Sequence, residues 1–249
     1  MAAPLTAQIK TLTKGKFSAY QAKTPRDVAA AQKLRARCFG CQQPHDCDAF
    51  DAISTHILIK EVASNTLVCC FRLYAVNGRD LASSYAAQFY ELSALQRYKG
   101  LMMEMGRFCV HPDWCDPDIL RVAWAEMTDV VDSNDVRMLF GCSSFAGVDP
   151  NAYLDAFAML KARHLGPECW RPGIKAPDVF RFAAQISQKP DAKKAMLGLP
   201  PLLRTYLLMG GWVSDHAVID HQMNTLHVFT GLEIGSIPAP RKRILRALV

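Results

Sequence analysis

Glu104 and Arg107 stand out because they lie in an otherwise apolar stretch, Leu101 to Pro112, that is typical of a core strand. Charged side chains are rarely buried in a strand unless they pair with each other or take part in chemistry. Residues three apart in a regular strand point to opposite faces. A β-bulge at Gly106 would shift this alternation and bring both side chains to one side. The stretch therefore predicts either a buried structural ion pair or a site in a strand bent away from its neighbour.

A strand bent in this way can bind a linear ligand along its edge. Backbone N–H groups released from strand pairing, here at Phe108, Cys109 and Val110, can bind ligand carbonyl groups and stabilise an oxyanion. Glu104 is the best candidate for a general base. The combination indicates an acyl or carbonyl substrate held next to a proton acceptor.

Two other kinds of site are disfavoured by spacing. A nucleophile elbow built on Ser143 would need the pattern Gly-x-Ser-x-Gly, and the position of the second glycine is Phe145. Cysteines and histidines between Cys38 and His56 suggest zinc, but zinc needs two well-separated ligand pairs and Cys38 belongs to a helix face. We therefore expect no bound metal.

The elements before the central stretch carry further charged residues. Thr24-Pro25-Arg26-Asp27 is typical of a helix start, and an amphipathic pattern follows to about Phe39. Arg35 lies on the core-facing side of this helix, which taken alone favours a snorkelling side chain. The polar stretch from Gly40 to Ala52 is predicted to be a loop, and a strand with Arg72 in its apolar interior follows later.

The remaining pattern predicts an α/β fold. The middle of the chain reads strand, helix, strand, helix, which favours a partly parallel sheet with helices on its faces. A closing hairpin is expected near the end. The expected strands and helices after the first helix are strands at 56–61, 67–76, 101–112, 136–142, 212–219 and 225–234, and helices at 116–133, 149–164 and 193–209, the last with a break at Pro200-Pro201.

Composition limits the class of protein. The chain has 249 residues, half of them hydrophobic, and 29 basic against 23 acidic residues, a formal charge of +6. This mild excess suits an acidic protein or an anionic membrane surface, and no basic–aromatic pattern indicates nucleic acid. No apolar run reaches the ~18 residues of a membrane span. Nine cysteines without an apolar leader indicate reduced, mostly buried thiols in the cytoplasm.

Several motifs taken together resemble a known group of enzymes. They are Leu34-Arg35-Ala36-Arg37-Cys38-Phe39, Asp48-Ala49-Phe50-Asp51-Ala52, Cys70-Phe71-Arg72-Leu73, Glu104-Met105-Gly106-Arg107-Phe108-Cys109-Val110-His111-Pro112, Leu139-Phe140-Gly141-Cys142-Ser143-Ser144-Phe145 and Leu199-Pro200-Pro201-Leu202-Leu203-Arg204-Thr205-Tyr206. In this order they resemble the GNAT acyltransferase superfamily, in particular acyl-homoserine-lactone synthases and, more closely, the L-ornithine N-alpha-acyltransferases of ornithine lipid synthesis. The resemblance spans roughly residues 26–233.

The resemblance implies a three-layer α/β/α sandwich with a mixed, splayed central sheet and an elaborated C-terminal part. It also implies a charged cluster around the acceptor amine, with Glu104 as the base. Arg107 is assigned with Glu104 to the catalytic residues. The other members are assigned to substrate binding or to fixing the loop, and are Arg35, Asp48, Asp51 and Arg72. Ser143 and Ser144 are further expected substrate contacts.

The implied reaction moves a 3-hydroxyacyl chain from acyl carrier protein to the α-amine of L-ornithine. No bound cofactor is implied, since the carrier protein brings the acyl group. Basic patches at Lys189, Lys193 and Lys194 or at Arg241 to Arg246 would suit the acidic carrier protein. Because the product is a lipid, we expect the protein on the inner face of the cytoplasmic membrane, attached peripherally.

Domain organisation and alternatives complete the expectations. The chain is expected to form a single GNAT-like domain with a loose basic lead-in at 1–16, a family-specific insertion at about 165–210 and a basic tail at 235–249. A lactone synthase is disfavoured because the segment after about Pro167 exceeds what that family needs. Acylation of another amino acid such as glutamine stays open. A non-catalytic acyl-carrier or lipid-binding module is disfavoured by the retained internal charges.

Overall fold

The computed structural model describes residue 9 and residues 11–247. The strands are β1 (Leu12–Lys14), β2 (Phe17–Gln21), β3 (Thr55–Glu61), β4 (Leu67–Val76), β5 (Tyr90–Glu91), β6 (Leu101–Val110), β7 (Val136–Ala146), β8 (Gly173–Ile174), β9 (Val179–Phe180), β10 (Trp212–Asp220) and β11 (Thr225–Glu233). The α-helices are α1 (Pro25–Phe39), α2 (Pro117–Ser133), α3 (Leu154–Arg163), α4 (Phe182–Gln185), α5 (Ala192–Gly198), α6 (Pro201–Leu208) and α7 (Ala239–Arg246).

Contacts divide the chain into two compact units. The first comprises Met1–Ala75, Met103–Val136 and Ala239–Val249, and the second comprises Val76–Met102 and Arg137–Pro238. In the first unit, β1 to β4 pair antiparallel in sequence order, and β6 follows β4 in the strand order. The prediction of a loose lead-in at 1–16 is therefore wrong for residues 12–14, which form β1.

The first helix forms as the sequence predicts. Thr24 is its N-cap: the Thr24 side chain accepts a hydrogen bond from the Asp27 backbone N–H, and the Asp27 carboxylate accepts one from the Thr24 N–H. Gly40 ends the helix in the left-handed conformation with φ 65°. The helix packs on the sheet through Ala31 and Leu34, which contact Leu58 and the thiols of β4 and β6. This packing fixes the start of the polar loop that follows.

The second unit has its own antiparallel strands, in the order β7, β11, β10 and β9. Its core packs α3 to α6 against these strands through residues such as Phe157, Leu203 and Val228. Strand β7 continues to Ala146, four residues beyond the predicted end at Cys142, because Ser143 to Ala146 pair with β11. The predicted helix at 193–209 is divided into α5 and α6 by Pro200-Pro201, as expected.

The nine cysteines are all free, as predicted, but most of them are not buried. Only Cys69, Cys70 and Cys109 are buried, while Cys47, Cys115 and Cys169 are exposed and the other three are half-buried. The expectation of mostly buried thiols is therefore wrong. Apolar neighbours in sequence did not distinguish strand cysteines from loop cysteines.

Helix α2 contains a buried carboxylate without a hydrogen-bond partner. The Glu126 side chain is fully buried, and neither of its oxygens has a partner in the structure. Burial, with a smaller contribution from Asp129, raises the pKa of Glu126 to about 7. The folded state therefore favours the protonated acid, and ionised Glu126 destabilises it.

We predict that Glu126→Met stabilises the protein at pH 8 by about 3 kcal/mol more than at pH 4. A carboxyl group whose pKa is raised by folding destabilises the folded state only when the pH lies above the pKa of that group in the unfolded chain. The cost begins near pH 4.5 and is complete above about pH 7. Urea denaturation of both proteins at the two pH values measures it. The exposed Glu168→Met is the control and should show no such pH-dependent difference. Equal effects of Glu126→Met at both pH values would contradict the prediction.

Candidate active site

The loop between α1 and β3 carries three aspartates that meet three arginines from other elements. Asp48 caps a short 3-10 helix, Ala49–Ala52, by accepting a hydrogen bond from the Phe50 N–H at 2.9 Å. Asp51 lies in this short helix, and Asp46 lies just before it. The capping turn fixes Asp48, two residues after Asp46, next to Asp51.

Arg35 of α1 is 1% exposed and contacts two of these aspartates. Its NH1 and NH2 groups donate to the two Asp51 carboxylate oxygens at 2.8 and 2.9 Å, a bidentate pair. Its Nε lies 2.9 Å from Asp46 Oδ2, and NH2 also donates to the Asp46 carbonyl oxygen. The prediction of a snorkelling side chain is wrong, since the guanidinium is buried and paired.

Arg72 of β4 and Arg107 of β6 complete the cluster. Arg72 NH1 donates to Asp48 at 2.5 Å and to Asp51 at 2.7 Å. Arg107 Nε donates to Asp46 at 3.0 Å, and its NH2 donates to Asp48 at 3.2 Å. Every aspartate thus lies between two arginines in a closed charge ring, which runs Asp46, Arg35, Asp51, Arg72, Asp48, Arg107 and back to Asp46.

The charge ring is electrostatically balanced, with three guanidinium and three carboxylate groups. Burial alone would raise the pKa of Asp51, but hydrogen bonds from Arg35, Gln32 and Arg72 lower it well below its usual value. Burial lowers the pKa of His56, whose Nε2 lies 3.0 Å from the Asp51 carbonyl oxygen. The imidazole is therefore a neutral hydrogen-bond donor that supports the loop.

Five of the six predicted cluster residues therefore meet in one network, and the sixth, Glu104, is a buried residue of β6. The contacts of Asp48 and Asp51 bear on which of two predicted roles these residues have, binding the substrate or fixing the loop. The carboxylates of Asp48 and Asp51 are both bound by arginines, which is the arrangement that fixes a loop. Their roles toward a substrate stay predictions.

Strand β6 has an irregular backbone at Arg107, next to the position of the predicted bulge at Gly106. Arg107 has a left-handed backbone, φ 53°, whereas Gly106 has no such conformation. A left-handed non-glycine residue costs roughly 1–2 kcal/mol, and the two ion pairs of Arg107 offset that cost. The side chain also lies over the Phe39 ring, 5.9 Å from its centroid. The residue with the irregular backbone is thus held by two ion pairs and a ring contact of its side chain.

The three residues predicted to bind the acyl carbonyl follow directly. Phe108 stacks on Phe71, with ring centroids 5.6 Å apart. The Cys109 Sγ lies 3.6 Å from Cys70 Sγ, and the Cys38 thiol donates to the Val110 carbonyl oxygen at 3.3 Å. Their backbone role toward an oxyanion stays a prediction.

The Cys109 thiol is not an activated nucleophile. Contact with Cys38 favours the thiolate, but contact with Cys70 and burial raise the pKa of Cys109 well above its usual value. A thiol of this kind is inert, because the thiolate is the reactive form. The site therefore offers no cysteine for covalent catalysis at this position.

Ser143 and Ser144 lie in β7 of the second unit. The Ser143 side chain is buried and shares a 2.9 Å hydrogen bond with the Thr230 hydroxyl. Ser144 is exposed and lies opposite His227 on the neighbouring strand. Their assignment to substrate binding stays a prediction.

The described residues contain neither a metal-binding cluster nor a helix able to cross a membrane. Among residue 9 and residues 11–247, no group of three or more histidine, cysteine, aspartate or glutamate side chains is arranged to hold a metal ion. Within the same residues, no helix has the length and apolar character needed to cross a membrane.

Comparison with known proteins adds the chemistry. Residues 32–125 match the family model of the acetyltransferase (GNAT) domain. An L-ornithine N(alpha)-acyltransferase of Rhodobacter capsulatus is 28% identical over 244 residues, covering 91% of this chain and 90% of the relative. An enzyme of the same name from Rhizobium meliloti is 28% identical over 236 residues, covering 87% and 79%. The chain is an acyltransferase, and its residues 32–125 are similar to the GNAT domain.

The fold prediction for this acyltransferase is confirmed. An uncharacterized protein from Bacillus halodurans has a TM-score of 0.50 to it at 8% identity, covering 97% of this chain and 98% of the other. The likeness is one of fold alone. The GNAT domain model that matches residues 32–125 agrees with the GNAT-like α/β class inferred from the motifs.

Sequence reasoning missed three residues of the candidate site, namely Asp46, Gln32 and His56. Gln32 donates to Asp51 at 2.9 Å, and Asp46 pairs with two arginines. Asp46 gave no clear signal, because the predicted cluster already matched three arginines with three acids, Asp48, Asp51 and Glu104. His56 was considered only as a possible zinc ligand, and its place at the start of a strand did not indicate a contact with the loop.

Proposed function

We propose that the protein acylates the α-amine of L-ornithine with a 3-hydroxyacyl chain taken from acyl carrier protein, giving a lyso-ornithine lipid. The observation that carries this proposal is the 28% identity to an L-ornithine N(alpha)-acyltransferase across 91% of the chain. The same name belongs to relatives from three further organisms, which match over 84% to 87% of the chain. The charge ring supports the proposal, because all of its residues except Asp46 lie in the motifs that resemble this family.

The proposed chemistry is direct attack by the amine. Glu104, directly or through one water, accepts a proton from the substrate ammonium. The amine, held near ~3 Å from the thioester carbon, forms the C–N bond, and the C–S bond then breaks. Backbone N–H groups around Cys109 hold the oxyanion. The products are an amide, a free pantetheine thiol and one proton, which leaves through Glu104 to solvent.

The charge ring has a positioning role in this proposal. Its arginines brace the acids of the loop, and Arg107 links the loop to β6 three residues after Glu104. Because each ring member has two partners of opposite charge, the loop is held in one arrangement beside the strand that carries the base. This role corresponds to fixing the loop, which is one of the two roles that the resemblance implies for these residues.

The donor and the location follow from charge and product. Acyl carrier proteins are acidic, and the chain has a formal charge of +6 with a basic helix α7 that contains Arg241, Lys242, Arg243 and Arg246. Electrostatic attraction of this kind speeds the encounter of two proteins. We propose a cytoplasmic protein that attaches peripherally to the inner face of the membrane, where its lipid product belongs.

The test is product analysis by mass spectrometry. Purified protein is incubated with 3-hydroxyacyl-carrier protein, or with the corresponding coenzyme A thioester, and separately with ornithine, lysine, glutamine and homoserine. We expect N-acylornithine as the main product with the carrier-protein donor. A main product with glutamine would overturn the acceptor, preference for the coenzyme A thioester would overturn the donor, and absence of any N-acyl product would overturn the proposal.

A further inference from the structure

Helix α5 exposes two adjacent large apolar side chains. Leu197 is 77% exposed and Met196 is 43% exposed. The opposite side of the helix is buried, since Ala195 and, just beyond the helix end, Leu199 belong to the core of the second unit. The apolar pair therefore points away from that core, and water contact with such side chains is unfavourable.

Basic residues lie on the same side of the helix. Lys193 and Lys194 are exposed and precede Leu197 by four and three residues, which places them beside it on the helix surface. Lys189 is exposed just before the helix. The nearby Asp191 is the N-cap and accepts hydrogen bonds from the Lys193 and Lys194 N–H groups at 2.9 and 3.1 Å. Its charge is thus directed to the helix backbone.

Helix α6 repeats the combination on a smaller scale. Leu208 is 57% exposed, and Arg204, four residues before it, is half-buried on the same side of that helix. The buried residues of α6, including Leu203 and Leu207, contact the core of the second unit. Both helices therefore place an exposed leucine next to a basic side chain.

We propose that α5 binds the surface of an anionic lipid bilayer, with Met196 and Leu197 entering the boundary between headgroups and acyl chains. Lipid phosphates attract the lysines, and the acyl region takes up the apolar side chains. An acidic protein would satisfy the lysines equally well, but it would need a fitted apolar pocket for Leu197. A bilayer needs no such pocket. The inference rests on the peripheral attachment in the proposed function and assigns it to one surface.

Vesicle flotation tests this surface with the full chain. We expect wild-type protein to bind vesicles of phosphatidylglycerol and phosphatidylcholine more tightly than vesicles of phosphatidylcholine alone. K193Q/K194Q should weaken binding to the anionic vesicles by about 30-fold, since each basic residue contributes roughly fivefold. M196S/L197S should weaken it by about tenfold or more, because the apolar side chains no longer enter the membrane.

The matched control is Val62→Ser, which removes an apolar side chain of the first unit that is 57% exposed. It should leave vesicle binding unchanged, and thermal melting should confirm that all variants fold. The inference is overturned if wild-type protein does not bind anionic vesicles or if M196S/L197S binds them as well as wild type does. It is also overturned if the variants lose binding to acyl carrier protein and keep vesicle binding.

An activity assay without lipid separates this inference from the proposed function. M196S/L197S should form N-acylornithine at the wild-type rate from a soluble short-chain carrier substrate. If neither wild type nor the variant forms N-acylornithine while vesicle binding depends on α5, the proposed function fails and the assignment of α5 to membrane binding is supported. If the product forms and vesicle binding does not depend on α5, the membrane surface fails and the proposed function stands.

Discussion

Replacing Glu104 by glutamine should lower kcat for acyl transfer by roughly 100- to 10,000-fold, the range that a positioned general base contributes. The amide has nearly the shape of the carboxylate, but it cannot accept the proton of the substrate ammonium. KM for ornithine should change little, because the interaction lost is one made during the chemical step. Steady-state kinetics with 3-hydroxyacyl-carrier protein and ornithine measures both constants.

The control for Glu104→Gln is Glu168→Gln at an exposed position of the second unit. It should retain wild-type turnover. Thermal melting of Glu104→Gln distinguishes a lost base from a lost fold, since Glu104 is buried. A folded Glu104→Gln protein with wild-type kcat would show that another group accepts the proton.

Replacing Asp51 by asparagine should lower the free energy of unfolding by about 3–5 kcal/mol at pH 7, the cost of leaving a buried charge without its partner. Asp51 accepts hydrogen bonds from Arg35 and Arg72, whose guanidinium groups are both buried. Its replacement opens the charge ring at the point where two arginines meet. Urea denaturation at pH 7 measures the loss.

The effect of Asp51→Asn should shrink in acid. The pKa of Asp51 is lowered in the folded protein, so its stabilisation is fully present above its usual pKa and is lost as pH falls toward the folded value. The difference in unfolding free energy between wild type and variant should therefore narrow below about pH 4. A constant difference from pH 7 downward would contradict a role through charge.

The matched control for Asp51→Asn is Asp113→Asn. Asp113 also pairs with an arginine, Arg37, at 2.8 Å, but both side chains are more than half exposed. Surface ion pairs of this kind contribute roughly 0–1 kcal/mol, so the change should have little effect on unfolding. Equal losses in the two variants would show that burial of the charge ring does not strengthen its pairs.

Local signals predicted the elements well. The Thr24 cap and the Gly40 end of α1 are both set by neighbouring residues, and β4 has the predicted bounds Leu67–Val76. Tertiary effects account for the failures. Strand β7 exceeds its prediction because β11 provides partners for four more residues. Helix α7 formed in what was predicted as a basic tail, where Arg246 pairs with Asp132 of α2.

The candidate site could be predicted as a set of residues but not as an arrangement. The motif positions supplied Arg35, Asp48, Asp51, Arg72 and Arg107, yet the closed ring depends on the path of the loop between α1 and β3. That path placed Asp46 between two arginines, which no spacing rule indicates. The left-handed backbone of β6 lies at Arg107, which pairs with Asp46 and Asp48 of that loop.

The most direct test of the proposed reaction uses ornithine labelled with nitrogen-15 at the α-amine. Purified protein and 3-hydroxyacyl-carrier protein are incubated with this substrate, and the position of the acyl group is read by fragmentation in the mass spectrometer. Direct attack by the α-amine predicts an amide that contains the labelled nitrogen, together with one equivalent of free carrier thiol. An amide at the unlabelled side-chain nitrogen, or no amide at all, would contradict the account.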